Sequence, residues 1–200
     1  MNLNNKNIIL LSLTILSIVS ITYLFLNPIK PEYKKISEVE KGDYVVLEGY
    51  IQKMYVKRDD YRHIIDIYKI TINDGSGNLD IIVFGNVRKD LLNYILNYTP
   101  SIKEGDKIKV VGKVSEYNGK YEIILDDINN FMLIQKNNFK RDIYLSPYPT
   151  NIYASKYGKT YHVDINCPYG KRIKNKIYFY SEEDAKELGY KPCKKCCSSE

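Results

Sequence analysis

The stretch KIKVVGKVSEYNGKYEIILDD, residues 107–127, decides how the middle of this 200-residue chain folds. Two β-rich runs, 107–117 and 120–127, meet at Asn118-Gly119. That dipeptide supplies the positive backbone angles of a tight two-residue hairpin turn. Upstream, YVVLEGYIQKMYV (44–56) is β-rich with partial alternation and RHIIDIYKITIND (62–74) alternates more clearly. The turn DGSG (74–77) then leads into LDIIVFG (79–85), so three antiparallel strands are expected before the hairpin. Between the two groups, VRKDLLNYILNY (87–98) places Val87, Leu91, Leu92, Ile95 and Tyr98 on one helical face and ends at Thr99-Pro100.

Three strands, a helix and two strands form the element order of the OB-fold, a five-stranded Greek-key barrel with its helix between the third and fourth strands. The phrases EKGDYVVLEGYI (40–51) and KEGDKIKVVGKVSEYNGKYEII (103–124) resemble the nucleic-acid-binding OB-fold family related to the anticodon-binding domain of class II aminoacyl-tRNA synthetases. In that family a Gly-Asp turn feeds a Val-x-Gly-x-Val strand and an aromatic-Asn-Gly hairpin follows. The resemblance covers about a hundred residues and implies a barrel over 36–136 with nucleic acid as its partner.

OB-folds that hold single strands stack bases on aromatic side chains and follow the backbone with Lys and Arg. The candidates are Tyr55, Lys57, Arg58, Tyr61, Arg62, Tyr68, Lys69 and Phe84, grouped around the first expected hairpin. The competing reading makes these tyrosines ordinary residues of a Tyr-rich chain. His63 lacks a surrounding carboxylate or nucleophile pattern and reads as a strand histidine. The D-x-P-E phrase of staphylococcal-nuclease-like barrels is absent, and Asp59, Asp60, Asp66 and Asp80 are dispersed. No catalytic constellation emerges, so a non-enzymatic binder is expected and a hydrolase is the rival.

Beyond an expected linker (137–156), KTYHVDINC (159–167) suggests a hairpin, NKIYFY (175–180) a strand, and SEEDAKELGY (181–190) a short helix with Ser181 as its N-cap and Gly189 at its end. All four cysteines lie between Cys167 and Cys197. A module as small as 157–200 buries little apolar surface and calls for a staple. Structural Zn2+ would provide one through Cys193 and Cys196 at the usual two-residue spacing, with His162 and Cys167 completing a tetrahedral set. Three alternatives compete: Cys197 in place of Cys196, Cys197 in place of His162, or a Cys167–Cys193 disulfide.

The residues KTYHVDINCPYGKRIK and KIYFYSEEDAKELGYKPCKKC resemble the metal-binding domain of the Ada DNA-repair family over almost all of 159–197. In Ada the first ligand is a cysteine that accepts methyl groups from DNA phosphotriesters. Here His162 stands in that place, one residue further from Cys167 than the family spacing. The resemblance therefore implies the zinc fold and phosphate contact, and argues against methyl transfer. Lys171, Arg172 and Lys194 are the basic candidates of this module.

The net charge of +6 is unevenly placed: residues 1–35 carry +3, 36–136 carry −2 and 137–200 carry +5. A uniform polyanion-binding surface is not indicated, though a basic C-terminal module would attract phosphates or acidic lipid at modest salt. Residues Ile8 to Leu26 contain no charge and are long enough, at about 1.5 Å per residue, for a transmembrane helix. No small-x-small cleavage site follows, which favours an anchor (residues 1–35 with its linker) over a cleaved signal. Lys30, Lys34 and Lys35 follow the segment against Lys6 before it, favouring a single-pass membrane protein with its soluble part in the cytoplasm, where clustered thiols stay reduced. The expectation is thus a β-rich α+β chain: transmembrane helix, OB-fold barrel and Ada-like zinc domain, binding single-stranded DNA. An exported OB module for protein, carbohydrate or haem is the other rival.

Overall fold

The computed structural model describes residues 5–26 and 30–197. Pro28, assigned above to the linker after the apolar segment, lies outside the described residues. Helix α1 (Asn5–Leu26) has exposed apolar side chains along its length. Among the described residues it alone is long and apolar enough to cross a bilayer, a test that a signal sequence also passes.

The barrel region contains β1 (Glu32–Tyr33), β2 (Tyr44–Arg58), β3 (Ile64–Asn73), β4 (Asn78–Val83), α2 (Val87–Leu96), β5 (Lys107–Tyr117), β6 (Lys120–Leu125) and β7 (Phe131–Gln135). Strands pair in the order β1-β2-β3-β4-β6-β5-β7, and β2 also pairs with β5. The ladder β2-β3-β4-β6-β5 therefore returns to β2, with β4 and β6 parallel and the other neighbours antiparallel. This is the OB-fold pairing order. Two strands go beyond the expected five. β1 is two residues long, and β7 extends β5 through a run without clean alternation.

Alternation in β5 buries Ile108, Val110, Gly112 and Val114. At Gly112 a β-carbon would come 2.5 Å from Ile123 Cγ2, so this position must lack a side chain for β5 and β6 to approach. Asn118 (φ +49°) and Gly119 (φ +72°) make the hairpin turn that their sequence predicts. Three register shifts bend the long β2–β3 ladder. Leu91 and Ile95 of α2 are fully buried in the same core as Leu47, Ile70, Ile81 and Ile123.

The second sheet combines β8 (Leu145–Ser146), β9 (Tyr153–Ser155), β10 (Thr160–His162), β11 (Lys176–Phe179) and β12 (Lys191–Pro192) in the order β12-β10-β9-β11-β8, with helix α3 (Glu182–Glu187) beside it. The stretch 137–156, expected as a linker, thus contributes β8 and β9. Likewise 159–167 is not a hairpin: it is β10 followed by a turn, and β10 pairs with β9 and β12. Ser181 caps α3 by accepting the Asp184 N–H at 3.0 Å, and Gly189 follows with φ +85°.

The two sheets meet along a seam. The Leu145 N–H donates to the Tyr61 carbonyl at 2.9 Å, Lys156 pairs with Asp60 at 3.2 Å, and the His63 ring stacks on Tyr144 with centroids 4.5 Å apart. Asp142 accepts the Ser101 N–H and hydroxyl and pairs with Lys103 at 2.5 Å.

Candidate nucleic-acid face and metal centre

Strands β2 and β3 turn Tyr55, Tyr68 and Lys69 to the outside of the barrel. The rings of Tyr55 and Tyr68 lie 6.1 Å apart and tilted by 54°. Lys53 and Lys69 hold their ammonium groups 4.6 and 4.2 Å from the Tyr55 ring centroid. Contacts of that length are cation–π interactions, and they help to hold the Tyr55 ring in place. Lys69 also pairs with Asp80 at 3.0 Å, and the Thr71 hydroxyl donates to Asp80 at 2.5 Å. The hydrogen bond to Asp80 raises the Lys69 ammonium above the usual lysine value, so it stays charged.

A cleft of about 480 Å³ opens here, lined by Tyr55, Lys69, Thr71 and Asp80 from the strands and by Lys120 and Tyr121 from the β5–β6 hairpin. Thr71, Lys120 and Tyr121 were missed in the sequence. The signal was the Tyr-Asn-Gly-Lys-Tyr run at 117–121, which brackets the turn with two tyrosines. Tyr68 remains exposed beside the Arg88 guanidinium, 5.8 Å from its ring. Phe84 is 60% exposed just beyond β4, and Lys57 is exposed near the end of β2.

The structure does not bring all the candidates onto this face. Tyr61 and Arg62 sit at the tip of the β2–β3 hairpin, and Tyr61 is tied through its carbonyl to β8. Arg58 reaches across the hairpin to donate to the Arg62 carbonyl at 2.8 Å. These three residues belong to the seam. The four dispersed acids do not gather into a metal cluster either: Asp59 pairs with His63, Asp60 with Lys156, Asp66 with Arg88 and Asp80 with Lys69.

In the C-terminal module His162, Cys167, Cys193 and Cys196 converge, with one donor atom from each lying within 4.8 Å of all the others. The Cys167 and Cys193 sulfurs are 3.9 Å apart, and Cys196 Sγ is 3.6 Å from His162 Nδ1. A tetrahedron built on metal–sulfur bonds near 2.3 Å has edges of about 3.8 Å, so the donor set fits such an ion in type and spacing. All four thiols are free. Cys197 turns away: its Sγ donates to the Tyr161 carbonyl at 3.5 Å and packs against the small core.

Local folding places these donors. The Cys167 N–H closes a turn onto Asp164, the Cys193 N–H bonds the Tyr161 carbonyl, and Cys197 N–H closes the last turn onto Cys193. Tyr153 stacks on His162 with centroids 5.5 Å apart. A β-carbon at Gly170 would overlap the Tyr153 hydroxyl and lie 3.0 Å from His162 Cγ, so glycine is needed there. Burial pushes His162 down, leaving a neutral imidazole suited to ligation. Burial also pushes Cys196 up to about 12. At Cys167 burial works in the same sense, but the Gly170 and Tyr169 N–H groups outweigh it and hold that thiol below its usual value. Lys171 and Arg172 follow Cys167 in a single helical turn, and Lys194 lies between Cys193 and Cys196; all three are exposed.

Residues 56–131 match the family model described as an OB-fold nucleic acid binding domain. Over 198 residues the chain is 64% identical to the Methanocaldococcus jannaschii protein described as "Uncharacterized protein MJ0818", covering 98% of both. The chain belongs to that protein's family. Several solved structures align with part of the chain at low identity. The second OB-fold domain of Methanococcus maripaludis replication protein A is 18% identical, with 52% of this chain and 97% of that one covered and a TM-score of 0.36. A murine DNA-binding protein bound with double-stranded DNA is 22% identical, with coverages of 56% and 52% and a TM-score of 0.36. The S. pombe Stn1–Ten1 complex gives 16%, 46%, 59% and 0.34, so the chain spans little more than half of either of the latter two.

Proposed function

We propose that this protein binds single-stranded nucleic acid, DNA in preference, on the outer face of β2, β3 and β4. The observation that carries the reading is the cleft where Tyr55 and Tyr121 offer rings beside Lys69 and Lys120, within a domain matching the OB-fold nucleic-acid-binding family. Sequence-tolerant binding of single strands needs stacking faces next to cations, and this cleft has both. In this reading the exposed Tyr68 and Phe84 extend the stacking surface, and the exposed Lys57 near the end of β2 adds a cation.

Structural Zn2+ is the ion we assign to His162, Cys167, Cys193 and Cys196, in an Ada-like module. It would supply cross-linking of β10, the 164–167 turn and the segment after β12, with all four protein positions used. Lys171, Arg172 and Lys194 would then lie around the site as phosphate contacts. Helix α1 acts in this reading as a single-pass anchor, with the soluble part cytoplasmic on the strength of the lysines after it.

The test is binding of the full chain, in non-ionic detergent, to labelled single-stranded DNA, single-stranded RNA and duplex at two salt concentrations. Expected are salt-sensitive binding of the single strands, a loss of about tenfold or more in Tyr55→Ala, and one zinc per chain in the same preparation. Absence of binding at low salt in a zinc-loaded, folded sample would refute the nucleic-acid reading.

A further inference from the structure

The seam between the sheets holds a second cleft, about 180 Å³, whose lining includes Arg58, Arg62, Lys103, Arg141, Asp142 and Tyr144. Its charges are not balanced. Asp142 is engaged by Ser101 and Lys103, and Arg141 is paired with Asp184 and Glu187. Among the described residues the Arg58 guanidinium has only the Arg62 carbonyl as a hydrogen-bond partner, and the Arg62 guanidinium has no hydrogen-bond or ion-pair partner. The cleft therefore presents two guanidinium groups without a carboxylate. Both side chains remain open to solvent at its mouth.

The hairpin is built to keep them there. Arg62 has φ +72°, a left-handed conformation that a branched-off side chain adopts at a cost. That conformation is held by the Arg62 N–H to the Asp59 carbonyl and by the Arg58 guanidinium to the Arg62 carbonyl. Asp59 in turn accepts the N–H groups of Tyr61 and His63. Residues kept in such a conformation by surrounding bonds are concentrated at sites that use them.

We propose that this seam binds a phosphate group, with Arg58 and Arg62 as its principal donors. Planar guanidinium forks match the geometry of a tetrahedral oxyanion and bind it through paired charge-assisted hydrogen bonds. Partial burial, followed by the nearby Arg58 charge, pushes the Arg62 guanidinium down, and an anion between the two would offset the repulsion between the like charges. The phosphate could be free or part of a nucleic-acid backbone. In the second case the seam takes the strand where it leaves the barrel for the zinc module, and this arm alone rests on the nucleic-acid reading.

The experiment uses the full chain in non-ionic detergent. Inorganic phosphate is titrated while the arginine Nε–Hε NMR resonances are followed, and a labelled oligothymidylate is titrated at about 50 and 200 mM salt. The expected result is a phosphate-induced shift at Arg62 that vanishes in Arg58→Gln/Arg62→Gln. In the same double variant oligonucleotide affinity falls about tenfold, and the slope of log affinity against log salt becomes shallower by about 1.4. A phosphate response without a slope change identifies a small free anion as the ligand. A slope change without a phosphate response identifies the backbone. If neither changes while Tyr55→Ala still weakens the oligonucleotide, the seam site is overturned and the barrel reading stands. A phosphate response in a chain that binds no oligonucleotide gives the converse. Arg62→Gly removes the guanidinium and the backbone strain together, so lost binding in a variant that melts no earlier than the parent cannot be unfolding.

Discussion

The barrel and the C-terminal module are held together in different ways. Among the described residues the barrel core unites twenty-one buried apolar side chains drawn from six strands, α2, the segment around Ile36 and Ile102 in the loop before β5. The second core has five: Leu145, Ala154, Tyr161, Phe179 and Ala185. Burial of apolar surface is the main stabilising term in folding, so the barrel can stand alone and the module cannot do so as readily. The module offsets its small core with a His-Cys cluster and with a seam against the β2–β3 hairpin. With the proposed ion in that cluster, the module's stability can be removed selectively.

Under the zinc reading proposed above, removing the metal is the largest perturbation. Chelation, or Cys193→Ser, should abolish cooperative melting of residues 145–197 while the barrel transition persists, because binding of a structural ion to such a site contributes on the order of 10 kcal/mol. Amide hydrogen exchange resolves the two halves. Uniform loss of protection would show that the barrel depends on the module, and no loss would show that the module needs no ion. Within the same comparison Cys197→Ser should leave metal content unchanged and Cys196→Ser should not, since Cys197 faces the small core.

The next effect belongs to the barrel. Asp106 is fully buried, pairs with Lys136 at 2.6 Å and accepts the N–H groups of Lys103, Asn137 and Asn138. Burial opposes its ionisation, but the Asn138 N–H, the Lys136 ammonium and the other N–H donors outweigh that and hold the carboxyl below its usual value. A depressed folded-state value means the contribution is complete above the ordinary carboxylate range and is lost as pH falls through the folded value. Asp106→Asn should cost about 3 kcal/mol near neutrality, by leaving Lys136 uncompensated. It should also flatten the acid limb of the barrel's stability profile, as urea melts from pH about 7 to 3 would show.

How much of this was legible in sequence also divides along the two regions. The five main strands and α2 follow from alternation and from Asn118-Gly119, because each strand is long enough to carry a pattern. β7 has its apolar residues in one short run, and β8 and β9 are two and three residues long beside Pro147 and Pro149, so no local period marks them. The grouping of His162, Cys167, Cys193 and Cys196 was legible because Cys193 and Cys196 share one turn and a small module needs a staple. The seam was not, since Tyr61 meets Leu145 across a long separation that local sequence does not encode. An aromatic, basic hairpin reads the same whether it faces a ligand or packs on a neighbouring sheet. Arg58, Tyr61 and Arg62 accordingly lie at the seam and not beside Tyr55.

The smallest effect tests the boundary between the regions. In Arg62→Gly the positive φ becomes unstrained, which favours the folded state by about 1 to 2 kcal/mol, while the greater freedom of glycine in the unfolded chain takes back roughly 0.5 to 1. Arg58 loses a like-charged neighbour as well. The variant should therefore melt slightly later than the parent in phosphate-free buffer, by calorimetry. If Arg62 serves only to pack the seam, deleting its side chain lowers the melting point instead. A hairpin that becomes more stable when its arginine is removed is one that keeps the arginine for something other than stability.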